Sequence, residues 1–149
     1  MKPTDIKTFT VYGDPAPKGS WRSFRNPRSG KRVMVPDNAD AQANWKKNVV
    51  LAARQADVKP LSGPVALTIQ FMLPRPQGDF TKGGSVKDSA NVFPVKKPDI
   101  DKLLRSVQDI LGGIAYRDDN QVCQVNMTKI YNGVKLSVCQ TTISVSPME

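Results

Sequence analysis

Strict alternation of apolar side chains between residues 65 and 73 is the feature that most limits how this chain can fold. Apolar residues occupy every second position there: Val65, Leu67, Ile69, Phe71 and Leu73. A period of two places these side chains on one face of a β-strand, whereas the helical period would scatter them. Pro74 ends the pattern. The chain must therefore contain a sheet with one face that needs covering.

Two amphipathic segments can supply that cover. Residues 40–56 contain no proline or glycine, and Trp45, Val49 and Ala53 fall at helical spacing. Residues 99–111 carry a second apolar stripe, with Asp99 placed as the N-cap and two glycines after the last apolar residue. The sequence therefore predicts two helices packed against the sheet.

Three further segments have the composition of strands. They are residues 6–12, 121–131 and 134–145, and the last two are joined by Asn-Gly, which is a strong signal for a β-hairpin. The predicted order is β-α-β-α-β-β, with a basic loop at 13–36, a long loop at 74–98 and a C-terminal hairpin at 121–145. A chain of 149 residues suits one packed core. We expect a single α+β domain over 1–149, a mixed sheet with helices packed on one face.

The distribution of charge favours a polyanionic partner. The formal net charge is +9, and basic side chains gain affinity for nucleic acid by displacing counterions from phosphates. Basic residues cluster in the two predicted loops: Lys18, Arg22, Arg25, Arg28, Lys31 and Arg32 in the first, and Lys82, Lys87, Lys96 and Lys97 in the second. Trp21 and Phe24 are available to stack on exposed bases. The alternative is a solvated loop anchored by its aromatic side chains.

Missing residue types narrow the chemistry. Histidine is absent, which excludes imidazole general bases, histidine metal ligands and imidazole-dependent triads. Cys123 and Cys139 are too few for a zinc module or a disulfide scaffold, and we expect both in or near the core. Neither a membrane-length apolar run nor a signal peptide is visible, so we expect a cytoplasmic protein. Catalysis would depend on carboxylates, lysines or a metal ion.

The acidic residues are concentrated in one part of the chain. Five of the twelve aspartates lie between residues 99 and 119: Asp99, Asp101, Asp109, Asp118 and Asp119. Two carboxylates at a helix start and a third before the next strand can hold a hard divalent cation. Two ordinary interpretations compete with this one. The helix stripe of Asp101, Arg105 and Asp109 could be a solvated face with ion pairs, and the Asp-Asp pair could belong to a turn.

The spacing of these residues resembles the RusA family of Holliday junction resolvases. The matching pattern is Asp-x-Asp, a basic residue four positions on, Asp-x-Leu-x-Gly and Asp-Asp-x-Gln-Val, found here at Asp99, Asp101, Arg105, 109–113 and 118–122. A fainter match is Pro-x-Pro-Lys-Gly at 15–19. The resemblance implies a homodimeric, Mg²⁺-dependent endodeoxyribonuclease, with Mn²⁺ able to substitute. Such an enzyme makes symmetric nicks in four-way DNA junctions during recombination and repair, often in a phage or prophage and hence in the bacterial cytoplasm.

The resemblance also implies roles for individual residues. Asp99, Asp101 and Asp119 would be metal ligands, and Asp118 could take the place of Asp119. Arg105 stands where the family usually has lysine; because arginine stays charged, its expected role is electrostatic. Lys102, where the family usually has asparagine, and Asp109 are further candidates, and the basic residues of both loops would bind DNA. Rival functions are a structure-selective nuclease acting on flaps or forks, and a non-catalytic, basic nucleic-acid-binding module.

Overall fold

The computed structural model describes residues 6–19, 21–36, 38–134 and 138–148. Along the chain the elements are β1 (Lys7–Tyr12), β2 (Trp21–Arg25), β3 (Arg32–Pro36), α1 (Ala39–Gln55), β4 (Val65–Leu73), α2 (Ile100–Leu111), β5 (Val122–Tyr131) and β6 (Gln140–Pro147). Short 3₁₀ turns lie at Gln77–Asp79 and Asp119–Gln121. The α+β class is confirmed. No helix in the described part is long and apolar enough to cross a membrane.

The main sheet has the strand order β1-β6-β4-β5. Strand β4 pairs antiparallel with β6 and parallel with β5, so the sheet is mixed, as predicted. The alternating segment forms β4 over the predicted residues, and its apolar side chains are almost fully buried. Thr68 and Gln70 on the opposite face are exposed. One face of the sheet therefore meets the core, and the other meets solvent.

Both predicted helices form and contribute to this core. Helix α1 buries Trp45, Val49 and Ala53, and α2 buries an apolar stripe that includes Leu103 and Val107. These side chains join those of β1, β4 and β6 in one cluster. Burying such side chains contributes about 1.5–3 kcal/mol each to stability. Packing along most of its length therefore fixes α2 on the sheet.

The predicted C-terminal hairpin is wrong. Strands β5 and β6 are not neighbours, because β4 lies between them. The Asn-Gly signal does correspond to a local turn, in which Val134 N–H donates to Asn132 Oδ1 at 2.9 Å. The chain then continues to the far side of β4, and β6 begins at Gln140 rather than at 134. Residues 135–137 of the predicted strand lie outside the described residues.

The predicted basic loop at 13–36 contains a hairpin. Strands β2 and β3 pair antiparallel as a separate two-stranded sheet. Their turn is closed by Asn26, whose Oδ1 accepts from Arg28 N–H at 2.9 Å, and by Gly30, whose φ of 68° favours glycine. The cysteine prediction is half correct, since Cys139 is buried but Cys123 is exposed.

Candidate functional site

Helix α2 connects two parallel strands, and this fixes the direction in which it runs. Because β4 and β5 are parallel, α2 must return from the end of β4 to the start of β5. Lys129 near the end of β5 contacts the residue before Asp99, with Nζ at 2.8 Å from Pro98 O. At the other end, Asp119 Oδ1 lies 3.6 Å from the position that a Cβ on Gly112 would occupy. The predicted site residues are thus distributed over both ends of a helix about 18 Å long.

At its N-terminal end, α2 presents two exposed carboxylates. Asp99 is the N-cap residue, as predicted, but its side chain makes no capping hydrogen bond. Its Oδ2 instead lies 3.4 Å from Lys102 Nζ, and both side chains are about half exposed. Asp101 in the first turn is exposed. A cleft of about 440 Å³ opens here, lined by Pro15, Pro17, Gly19, Lys97, Pro98, Asp99 and Lys102. The Asp99 carboxylate can therefore reach a ligand in this cleft.

The Pro-x-Pro-Lys-Gly segment braces the same helix. Lys18 N–H donates to Lys102 O at 3.1 Å, and Lys18 Nζ lies 3.3 Å from Asp109 Oδ2. Pro17 O accepts from Asn38 Nδ2 at 3.0 Å, at the start of α1. The turn after β1 thereby connects both helices. Lys18, predicted to contact DNA, is engaged in this ion pair while remaining 41% exposed.

The C-terminal end of α2 concentrates negative charge. Partial burial raises the pKa of Asp119, and the charges of Asp109 and Asp118 and a hydrogen bond with Asp109 raise it further. Burial also raises the pKa of Tyr116, with the Asp119 and Asp109 charges adding to the effect. The Tyr116 hydroxyl donates to Gln108 O at 2.9 Å. Close carboxylates repel each other, so this end favours binding of a cation or a proton.

The two neighbouring aspartates before β5 have different surroundings. Asp118 Oδ1 accepts from Asn120 N–H at 3.2 Å, and Gln121 Oε1 accepts from Asp118 N–H at 3.0 Å, which makes a reciprocal cap. Gln121 Nε2 also donates to Leu61 O at 2.9 Å. Asp118 therefore holds the turn, whereas the Asp119 carboxylate points towards Asp109. Sequence left the choice of ligand open between them, and these contacts favour Asp119.

The predicted metal ligands do not meet within one chain. Asp101 and Asp109 are eight residues apart, which corresponds to about 12 Å along the axis of α2. In the described part of the chain, no group of three or more His, Cys, Asp or Glu side chains is placed to hold a metal ion. The exposed Arg105 lies between the two acidic ends. All candidate donors are carboxylate oxygens, which suit hard cations such as Mg²⁺ and Mn²⁺, so the three-ligand site stays a prediction.

The β2–β3 hairpin presents unpaired positive charge. Arg25, Arg28, Lys31 and Arg32 are exposed, and within the described residues none of them pairs with a carboxylate. Arg25 lies directly opposite Arg32 across the two strands, an arrangement that destabilises an isolated hairpin. The side chain of Arg22 lies outside the described residues. Lys82, Lys87, Lys96 and Lys97 are exposed on the long loop.

Sequence reasoning missed Lys129 and Tyr116. Lys129 Nζ donates to Lys96 O at 3.1 Å as well as to Pro98 O. Neither residue belongs to a recognisable motif, and the partners of Lys129 are more than thirty positions away in the chain. The only available signal was a lysine within an otherwise strand-forming segment.

Comparison with known proteins gives a family match over most of the chain. The family model described as "Endodeoxyribonuclease RusA" matches residues 13–139. A relative, "Uncharacterized protein YqaN" of Bacillus subtilis (strain 168), is 33% identical over 132 residues, covering 86% of this chain and 89% of that protein. The match includes the first turn, the hairpin, α2 and β5.

Proposed function

The chain belongs to the RusA family of endodeoxyribonucleases, and on that premise we propose that it is a Mg²⁺-dependent nuclease that resolves four-way DNA junctions. The observation that carries the proposal is the pair of exposed carboxylates at the start of α2, which are not used for capping although Asp99 occupies the cap position. In a chain of net charge +9, acidic groups beside a DNA-binding surface would repel the substrate unless a cation offset them.

The proposed metal ligands are Asp99, Asp101 and Asp119, contributed by two copies of the chain. Because Asp119 lies at the opposite end of α2 from the other two, the ligands of one chain are too far apart for one ion. A two-fold axis between antiparallel α2 helices brings the start of one helix beside the end of the other. Homodimerisation would then create two equivalent sites, one for each of two symmetric cuts.

Two other side chains of α2 would contribute to binding and cleavage of the phosphodiester. When bound, the ion supplies charge neutralisation and a water of lowered pKa. Arg105, on the exposed face of α2, would use its guanidinium group to stabilise negative charge that develops on the phosphate. Lys102 neutralises Asp99 in the free protein. Once a cation takes that carboxylate, Lys102 is free to contact a phosphate oxygen.

A side-by-side cleavage assay tests the choice of substrate. Synthetic four-way junctions, flaps, forks and linear duplexes are compared in Mg²⁺, in Mn²⁺ and in EDTA. We expect paired symmetric cuts in the junction, little cutting of linear duplex and no cutting in EDTA. Preferential cutting of flaps or forks would replace the resolvase proposal with that of a structure-selective nuclease. DNA binding that is the same with and without divalent metal, with no cleavage of any substrate, would indicate a non-catalytic module.

Removing Arg25 and Arg32, which face each other across the hairpin, should weaken DNA binding. We expect Arg25→Ala combined with Arg32→Ala to lower affinity for junctions about tenfold at physiological salt. The slope of log Kd against the logarithm of salt concentration should fall by about two, because two fewer counterions are released. The measurement is the junction Kd over a range of salt concentrations. Lys47→Ala with Arg54→Ala, which removes two exposed basic residues of α1, is the matched control. An equal loss in both double variants would show that only total charge matters.

A further inference from the structure

A lysine on β5 holds the segment that leads into α2. Lys129 Nζ donates to Lys96 O at 3.1 Å and to Pro98 O at 2.8 Å. Counting partners within the described residues, these two bonds are the only hydrogen bonds of residues 93–98. In that part of the chain, one side chain therefore fastens the approach to the candidate metal ligands.

The charge of Lys129 is not balanced by an acid. No ion pair joins it to a carboxylate in the described part of the chain, and its residue is only partly exposed. Hydrogen bonds from an ammonium group to carbonyl oxygens are stronger than neutral ones, and a partly buried cation costs desolvation free energy. A lysine that bears this cost without a carboxylate partner is therefore expected where the position of the backbone it binds must be fixed.

The fastened segment leads directly to the candidate ligands. Pro98 is followed by Asp99, whose carboxylate makes no capping bond and is held only by a half-exposed ion pair with Lys102 among the described residues. Together with Pro15, Lys97 and Pro98 line both the cleft beside Asp99 and a neighbouring cavity of about 380 Å³. A shift of this segment would move the Asp99 carboxylate and change the shape of the cleft together.

We propose that Lys129 is a positioning residue that fixes Asp99 and Asp101 for metal binding by tethering residues 96–98 to β5. This inference rests on the proposed function, because fixing Asp99 and Asp101 matters only if they bind a metal ion. Lys129 touches neither carboxylate and acts through the backbone of the segment before them. Groups that orient metal ligands in this way affect metal affinity about 10- to 100-fold.

The test uses Lys129→Met, which keeps most of the side-chain length but removes the donors, and Lys129→Arg, which restores charge and donors. Hydrogen exchange of the metal-free protein and Mn²⁺ affinity by titration are both measured. We expect Lys129→Met to speed exchange of the Leu103 amide, which donates to Asp99 O at the start of α2, at least about tenfold and to weaken Mn²⁺ binding about tenfold, with β4 exchange unchanged. Lys129→Arg should behave close to the wild type. Lys87→Met, on the same loop, is the control.

Two results would overturn the proposal. Unchanged exchange and Mn²⁺ affinity in Lys129→Met would show that the tether is dispensable, and faster exchange throughout the sheet would show a general role in folding. Failure of the proposed function is distinct from both. In that case the wild-type protein itself would bind no Mn²⁺ and cut no DNA, while local exchange would still report on the tether.

Discussion

Replacing Asp101 by asparagine should lower junction cleavage on the order of 10³-fold without disturbing the fold. Asp101 is exposed in the first turn of α2, and among the described residues its carboxylate has no hydrogen-bond or ion-pair partner. Asparagine keeps the shape of the side chain but loses the charge that binds a hard cation. The measurement is the single-turnover cleavage rate of a synthetic four-way junction at saturating Mg²⁺, with thermal unfolding as the test of the fold.

Metal-free binding provides the second half of this test. Removing a carboxylate from the DNA surface removes repulsion, so we expect Asp101→Asn to bind junctions more tightly than the wild type in EDTA. Asp88→Asn neutralises an exposed aspartate on the long loop and should leave cleavage unchanged. If Asp101→Asn retained full cutting and its Mg²⁺ requirement, the proposed site would be wrong.

Combining two inactive variants in one dimer should restore cleavage of one strand. In the proposed dimer each site takes Asp99 and Asp101 from one copy and Asp119 from the other. A mixed dimer of Asp101→Asn and Asp119→Asn then has one site with both defects and one intact site. We expect nicked junctions from mixed dimers purified through two different affinity tags, whereas each variant alone should be inactive.

The arrangement of defects supplies a matched control for that experiment. A mixed dimer of Asp99→Asn and Asp101→Asn places one defect in each site, so it should remain inactive. A site built within one chain predicts no activity for either mixed dimer, because every chain would carry a defect. Inactivity of the Asp101→Asn and Asp119→Asn pair would therefore contradict the shared site.

Elements specified by local periodicity were predictable from sequence. Strand β4 and helix α2 have strong periods of two and of about 3.6 residues, and both lie within a residue of their predicted bounds. The order of strands was not predictable in the same way. Asn132-Gly133 indicates a turn, but the next strand pairs with β1 and β4 rather than with the free edge of β5, and these are contacts between distant parts of the chain.

Burial at the edge of the sheet depends on the same distant contacts. Cys123 is exposed on the edge strand β5, at the register shift that leaves it without a partner on β4, and no local pattern indicates this shift. The candidate site likewise combines residues that local sequence indicates with positions that depend on distant contacts. Clustering and family resemblance singled out Asp99, Asp101 and Asp119, but the position of Asp119 at the far end of α2 follows from the crossover between parallel strands. The tether by Lys129 depends on the packing of β5 beside residues 96–98.

The position of Mn²⁺ in crystals of the protein, located by anomalous scattering, decides whether two copies share each metal site. We expect a peak about 2.2 Å from carboxylate oxygens of Asp99 and Asp101 in one copy and Asp119 in the second copy. A peak held only by Asp109 and Asp119 of a single chain, or no peak near the start of α2, would contradict the shared site.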